Sequence, residues 1–269
     1  MIEKDDMIRI TVLVDNFAGG GLFSEHGLSY HVKDEHNDES WLFDAGQSDL
    51  FLRNAEKLNI NLGEISGVIL SHGHYDHGNG LQYLSHKRLI CHPDCFTGHY
   101  RKSDGSSIGL KMTVDKANEK FDVVTSKVPL QLSDSIWFLG EIPRITDFES
   151  KETPFILENG EPDFVDDDSA LAMVVGDGLY VLTGCGHAGV VNTLEYAKKV
   201  TGVNNLKGVL GGFHLKEYDL QTKKTINYLK QHEVTHIFPS HCTALPALSA
   251  FYETFQIGQV KTGTTILLD

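Results

Sequence analysis

The run Leu70-Ser71-His72-Gly73-His74-Tyr75-Asp76-His77-Gly78 places four metal-ligating side chains within six residues. It follows directly on the apolar stretch Gly67-Val68-Ile69-Leu70, so a buried strand delivers all four to one point at a sheet edge. His72 and His74 fall on one side of an extended chain, because alternate residues share a face. Asp76 and His77 are adjacent where the backbone turns, and adjacent side chains diverge. They therefore suit a second ion a few ångströms from one held by the histidine pair. A polar turn whose histidines merely satisfy hydrogen bonds is a poor explanation for this density of ligands. Two divalent ions here would lower the pKa of a water to about 7 and polarise an electrophile's oxygen. Asp76 stands where it can orient or deprotonate that water.

The spacing His-x-His-x-Asp-His after an apolar strand resembles the metallo-β-lactamase superfamily. Further runs narrow the resemblance: Leu13-Val14-Asp15-Asn16, Glu25-His26-Gly27-Leu28-Ser29, Phe43-Asp44-Ala45-Gly46-Gln47, Thr183-Gly184-Cys185-Gly186-His187, Gly211-Gly212-Phe213-His214-Leu215 and Ser240-His241-Cys242-Thr243. They resemble the branch named for 7,8-dihydropterin-6-yl-methyl-4-(β-D-ribofuranosyl)aminobenzene 5′-phosphate synthase. These runs extend from the first strand almost to the C-terminus, so the resemblance covers the chain.

The resemblance implies further ligands. The superfamily usually has a metal-bridging Asp at the end of the strand before 185, and in some branches a Cys; here Cys185 stands there. A coordinating thiol is deprotonated and binds zinc well, while a small buried residue is the equal alternative. His187, two residues on in a glycine-flanked turn, is read as a ligand. The last ligand in the superfamily is a late histidine after a strand, which His241 fits, with Cys242 read as a packed neighbour. His214 is expected to face substrate or orient another group. One departure stands out: many members carry a histidine one hairpin before the Cys185 position, whereas residues 164–170 hold none. Either His187 takes that place, or an aspartate such as Asp168 does, or one metal is under-coordinated. The acidic run 166–168 reads equally well as a solvated turn.

The expected metal ligands are thus His72, His74, Asp76, His77, Cys185, His187 and His241, with Asp76 and His214 as catalytic residues. Two divalent ions are expected, zinc first, with manganese or iron also suited to histidine and carboxylate. The leading expectation is a metal-dependent hydrolase of a small phosphorylated molecule, since a two-metal centre can clamp both attacking and leaving oxygens. The alternative, implied by the branch, is a transferase joining a dihydropterin diphosphate to an aryl-ribose phosphate with release of pyrophosphate. A non-catalytic metal-binding or sensing protein would sit better with a broken motif than with this intact one. Hydrolysis of β-lactams has the branch runs against it. Arg144 offers a forked guanidinium for a phosphate or is a surface arginine. Tyr75 either contacts substrate or packs on the turn.

The elements that must position these residues follow from patterning. Residues 8–14 alternate and then become wholly apolar, as a half-buried strand does. Strands are expected around 29–32, 40–43, 68–70, 88–91, 128–132, 135–139, 206–210, 235–238 and 264–268. Residues 171–175 and 179–182, split by Gly176-Asp177-Gly178, signal a hairpin. Helices are expected over 49–58, 79–85, 94–99, 190–200, 221–231 and 244–252. Residues 101–109 read as a loop. The acidic segment 141–168 carries three prolines and reads as a long excursion, a lid or binding wall. Strand-rich halves interleaved with helices predict an α/β layered chain, two sheets face to face with helices outside. That four-layer αββα sandwich is also what the resemblance implies, within a single domain over 1–269.

The chain has 269 residues, long enough for a sizeable core, and a net charge of −14 from 23 basic and 37 acidic residues. So negative a surface argues against a nucleic-acid partner, which requires a basic footprint. It leaves room for a phosphorylated small molecule, because bound cations reverse the local field. No run approaches the roughly 20 apolar residues of a membrane span. Residues 1–6 are charged and lead into a strand, so no signal peptide is expected there. Cys91, Cys95, Cys185 and Cys242 are too few and scattered for a disulfide framework, and a cytoplasmic location is expected. Cys91 is read as a strand end and Cys95 as a residue of the next helix. Oligomeric state is left open.

Overall fold

In the computed structural model, which describes residues 7–269, apolar alternation resolves into two packed sheets with helices on both outer faces. The charged run 1–6 lies outside the described residues. The chain proceeds through β1 (Ile8–Val14), β2 (Ser29–Asp34), β3 (Ser40–Phe43), α1 (Leu50–Lys57) and β4 (Gly67–Ile69). The helical turn α2 (Tyr75–Gly78) carries the end of the histidine-rich motif. Then come β5 (Arg88–Cys91), β6 (His99–Arg101), α3 (Val114–Lys120), β7 (Asp122–Thr125), β8 (Leu130–Gln131), β9 (Ile136–Phe138) and β10 (Phe155–Leu157). The remainder is β11 (Ala170–Val175), β12 (Gly178–Thr183), α4 (Val190–Thr201), β13 (Leu206–Gly212), α5 (Leu220–Gln231), β14 (His236–Ser240), α6 (Leu245–Phe255) and β15 (Thr265–Leu268).

One sheet has the order β15-β1-β2-β3-β4-β5-β7 and the other β14-β13-β12-β11-β9-β8. Side-chain alternation assigns each face. Trp41, Phe43, Ile69 and Ile90 of the first sheet meet Phe138, Leu171, Met173 and Leu182 of the second. The intervening Leu42, Val68 and Leu89 turn outward against Phe51 and Ala55 of α1 and Ala117 of α3. On the second sheet Ala170, Ala172, Val181 and Val209 turn outward against Leu194, Ile226 and Phe251 of α4, α5 and α6. The expected αββα layering is therefore observed. Strands buried on both faces read as continuous apolar runs, which is why the inner ones were legible.

Several local expectations are corrected. Residues 79–83 and 93–96 form tight 3₁₀ turns rather than α-helices, so Cys95 lies in such a turn. β6 falls within residues read as helix and loop, and it pairs antiparallel with β10 of the 141–168 excursion, Phe155 opposite Arg101 and Leu157 opposite His99. Helix α3 had no signal because Ala117 is its buried residue, leaving no apolar stripe.

This architecture fixes where chemistry can occur. β3 and β4 are parallel, as are β12, β13 and β14, so Asp44, His72, Cys185, His214 and His241 all follow C-terminal strand ends. Open α/β sheets collect ligands at such ends.

Candidate metal centre

All seven expected ligands converge at that edge. Ring nitrogens of His72, His74 and His187 lie within 4.8 Å of one another, and so do ligand atoms of His72, His77 and Cys185. His72 Nε2 faces His74 Nδ1 at 3.0 Å. His77 Nε2 lies 3.2 Å from Cys185 Sγ and 3.2 Å from His241 Nε2. Asp76 Oδ2 is 3.4 Å from His241 Nε2 and 3.1 Å from His26 Nε2. Two lobes result: His72, His74 and His187 on one side, Asp76 and His241 on the other, with His77 and Cys185 between. The expected divergence from the His72/His74 pair is seen for Asp76, which groups with His26 and His241, but not for His77, whose ring centroid lies 4.2 Å from that of His72 and which groups with His72 and Cys185.

His187 lies beside the His72/His74 pair, within reach of the position left open by the missing histidine. Its ring centroid is 4.9 Å from that of His72 and 5.0 Å from that of His74. Asp168 is in none of the ligand groups found among the described residues; its Oδ2 accepts the Ala188 N–H at 2.8 Å and so holds the turn that carries His187, while its Oδ1 is buried without a hydrogen-bond partner among the described residues. Nor is 166–168 a uniformly solvated turn, since Asp167 and Asp168 are buried and Asp167 Oδ2 accepts the Gly73 N–H at 2.6 Å.

Three polar side chains set which ring nitrogens face inward. Asp44 Oδ2 accepts the Ser71 hydroxyl and the His77 Nδ1–H, each at 2.7 Å. Ser71 Oγ, its proton committed to Asp44, accepts from His72 Nδ1 at 2.9 Å. Asn16 donates its amide to the His241 carbonyl and accepts from His241 Nδ1 at 3.1 Å. The Nε2 atoms of His72 and His77 are therefore left as bare lone pairs, while His241 Nε2 faces the Asp76 carboxylate at 3.4 Å. Sequence reasoning missed Asn16, Ser71 and Asp44 as orienting residues, although each sits inside or beside a quoted run. Gly184 lets the two sheets' strand ends touch, because a Cβ there would lie 2.1 Å from Ser71 Oγ.

A cation fits this donor set. Bare imidazole nitrogens and a carboxylate point at one another across about a hydrogen-bond length, an arrangement that a positive charge would hold together. His187 Nε2 and His74 Nε2 are buried with no hydrogen-bond partner among the described residues. Burial and neighbouring imidazoles hold His72 and His187 well below the usual histidine range, and burial takes His74 down to about 3. All three are neutral, the form that ligates. Burial alone would raise the Asp76 carboxyl, but His77 and hydrogen bonds from His241 and His26 hold it well below the usual range.

Above the cluster opens a cavity of about 720 Å³, lined by His26, His74, Tyr75, Asp76, His187 and His214 among others. His214 packs on His187, centroids 4.3 Å apart, and belongs to none of the ligand groups found among the described residues. Phe155, from the excursion, stacks edge-on against His74 at 5.2 Å, so that segment is a wall of the site. The basic groups on the cavity are Arg101, Lys102 and Lys216. Arg144 is not among them: it bonds Ser150 Oγ at 2.9 Å, the Phe164 carbonyl at 2.8 Å and Asp166 at 2.8 Å, all within the excursion.

Comparison with known proteins gives concordant results. The family model for the metallo-beta-lactamase superfamily matches residues 25–93. The chain is 34% identical, over 95% of its length and 94% of the relative's, to a Methanocaldococcus jannaschii protein named 7,8-dihydropterin-6-methyl-4-(β-D-ribofuranosyl)-aminobenzene-5′-phosphate synthase. An uncharacterised protein of the same organism is also 34% identical, covering 89% of this chain and 92% of its own. A solved structure described as a metal-dependent hydrolase of the β-lactamase superfamily superposes with a TM-score of 0.83 at 31% identity, covering 96% of this chain and 98% of the other.

Proposed function

The chain belongs to the metallo-β-lactamase superfamily, and on that premise we propose that it is a metal-dependent synthase. It would join a dihydropterin, activated as its methyl diphosphate, to an aryl-ribose phosphate with release of pyrophosphate. The observation that carries this reading is the 34% identity, along nearly the whole of both chains, to the relative named for that product. The site supports it. A cavity of about 720 Å³ lies in the upper part of the range for small-molecule sites and has room for two ring systems. Arg101, Lys102 and Lys216 supply cationic donors for phosphate and diphosphate oxygens. They do so in a protein of net charge −14.

Ions held by His72, His74 and His187 and by Asp76, His77, Cys185 and His241, zinc by preference for this imidazole and thiol set, would supply Lewis acidity when bound. Asp44, Ser71 and Asn16 keep the ligating nitrogens aimed inward, as described above. Asp76, between His26 and His241, would orient the reacting group through its carboxylate. His214 and Phe155 border the substrate space, one as a hydrogen-bonding ring and the other as a stacking surface.

A second reading, hydrolysis of a small phosphorylated molecule, is favoured by the 31%-identical structure described as a metal-dependent hydrolase. One experiment separates them. Metal-loaded protein is given the dihydropterin methyl diphosphate alone, then with the ribofuranosylaminobenzene phosphate. Pyrophosphate release and a coupled product requiring both compounds support the synthase. Release from the diphosphate alone, or turnover of bis(p-nitrophenyl) phosphate without coupling, supports the hydrolase. Inactivity of fully metal-loaded protein in every arm overturns both.

A further inference from the structure

We propose that Cys242 is a second sulfur ligand of the centre, so that Cys185, Cys242 and His241 together hold one of its ions. This rests on the reading of the cluster as a metal centre and adds a ligand that the sequence pattern treated as packing. The Sγ atoms of Cys185 and Cys242 and a ring nitrogen of His241 lie within 4.8 Å of one another, all buried. A tetrahedral ion with zinc–sulfur bonds of about 2.3 Å separates two sulfurs by roughly 3.8 Å, so the group lies within the reach of one ion.

Three features of the backbone serve that sulfur. Adjacent side chains on an extended chain diverge, yet His241 and Cys242 converge, because His241 adopts a left-handed conformation with φ 50°. The end of β13 is bare beneath the thiol: a Cβ at Gly212 would sit 2.6 Å from Cys242 Sγ and 3.1 Å from Cys185 Cα. The His214 N–H donates to Cys242 Sγ at 3.3 Å, the kind of outer contact that stabilises a ligating thiolate. The Cys242 thiol also donates to the Cys185 carbonyl at 3.4 Å, with a proton it would lose on ligating an ion. Cys242 also lines the cavity over the cluster, unlike Cys91 and Cys95, which pack into the apolar layer beneath the first sheet.

The two ion positions then differ in softness. The lobe of His72, His74 and His187 is all imidazole, whereas the lobe of His241 has two sulfurs and selects soft ions. Cadmium should enter the sulfur position first.

The test uses metal-free protein given one equivalent of Cd²⁺, read by X-ray absorption and by sulfur-to-cadmium charge-transfer absorbance. Two sulfur neighbours per cadmium in the wild-type protein are expected. Cys242→Ser and Cys185→Ser should each remove about half of the charge-transfer absorbance, and the double variant all of it. One sulfur neighbour in the wild type, or an undiminished band in Cys242→Ser, overturns the proposal while leaving the metal centre standing. Should Cys242→Ser fail to fold, the wild-type neighbour count decides alone. A wild-type protein that binds no cadmium overturns both this proposal and the metal-centre reading.

Discussion

Replacing Asp44 by Asn tests whether the ring nitrogens are aimed by their partners. The buried Asp44 carboxylate accepts three hydrogen bonds at 2.7 Å each, from the Ser71 N–H, the Ser71 hydroxyl and His77 Nδ1. Asn can keep the first through its carbonyl. Its amide then confronts the other two donors, and His77 can satisfy it only by moving its own proton to Nε2. That nitrogen is the one 3.2 Å from Cys185 Sγ and His241 Nε2, so the ring would turn an N–H toward the ion. Loss of such an outer contact costs about 10- to 100-fold in metal affinity, or roughly 1.4–2.8 kcal/mol. Asn tolerates the left-handed backbone at this position, φ 58°, so the substitution isolates the carboxylate. Zinc affinity measured by competition with a chelator is the assay. An affinity within about threefold of wild type would refute the argument that Asp44 fixes the His77 tautomer.

His214→Ala should leave metal content unchanged while lowering turnover by about five- to tenfold, the worth of one hydrogen bond to substrate; loss of metal would place that ring among the ligands. Gly184→Ala drives a Cβ to 2.1 Å from Ser71 Oγ, so unfolding in urea should show a loss of about 1–3 kcal/mol together with weaker zinc binding. Glu149 accepts the N–H groups of Val191 and Asn192 at the start of α4, and burial raises its carboxyl from 4.5 to about 6 against those bonds. Because the folded value lies above the unfolded one, its contribution is fully present below pH 4.5 and is lost as pH rises through about 6. Glu149→Gln should remove about 2 kcal/mol of that pH dependence, seen as a flatter stability profile; identical profiles would contradict the assignment.

The histidine motif, the layer order and most strands were legible because they rest on short-range pattern: apolar alternation, a hairpin at Gly176-Asp177-Gly178, and ligands clustered within one turn. What escaped depends on long-range approach. Asp168 and His187 both flank the β11–β12 hairpin, so either could have completed the site, and only the folded chain shows His187 beside His72 and His74 and Asp168 Oδ2 bonded to the Ala188 N–H. β10 is three residues long and partly buried along its whole length, and no alternation announces a pairing with β6. Arg144 has the right chemistry for a phosphate, but its donors are taken by Ser150, Phe164 and Asp166, while Arg101 and Lys102 reach the cavity from a segment that reads as loop and Lys216 from the stretch between β13 and α5.

Metal content per chain, measured on protein purified without added metal, tests the central claim most directly. The account predicts about two divalent ions per chain in the wild type, with zinc dominant, and loss of at least one in His72→Ala and His77→Ala. A folded wild-type protein that holds no metal, even after zinc is supplied, would contradict it.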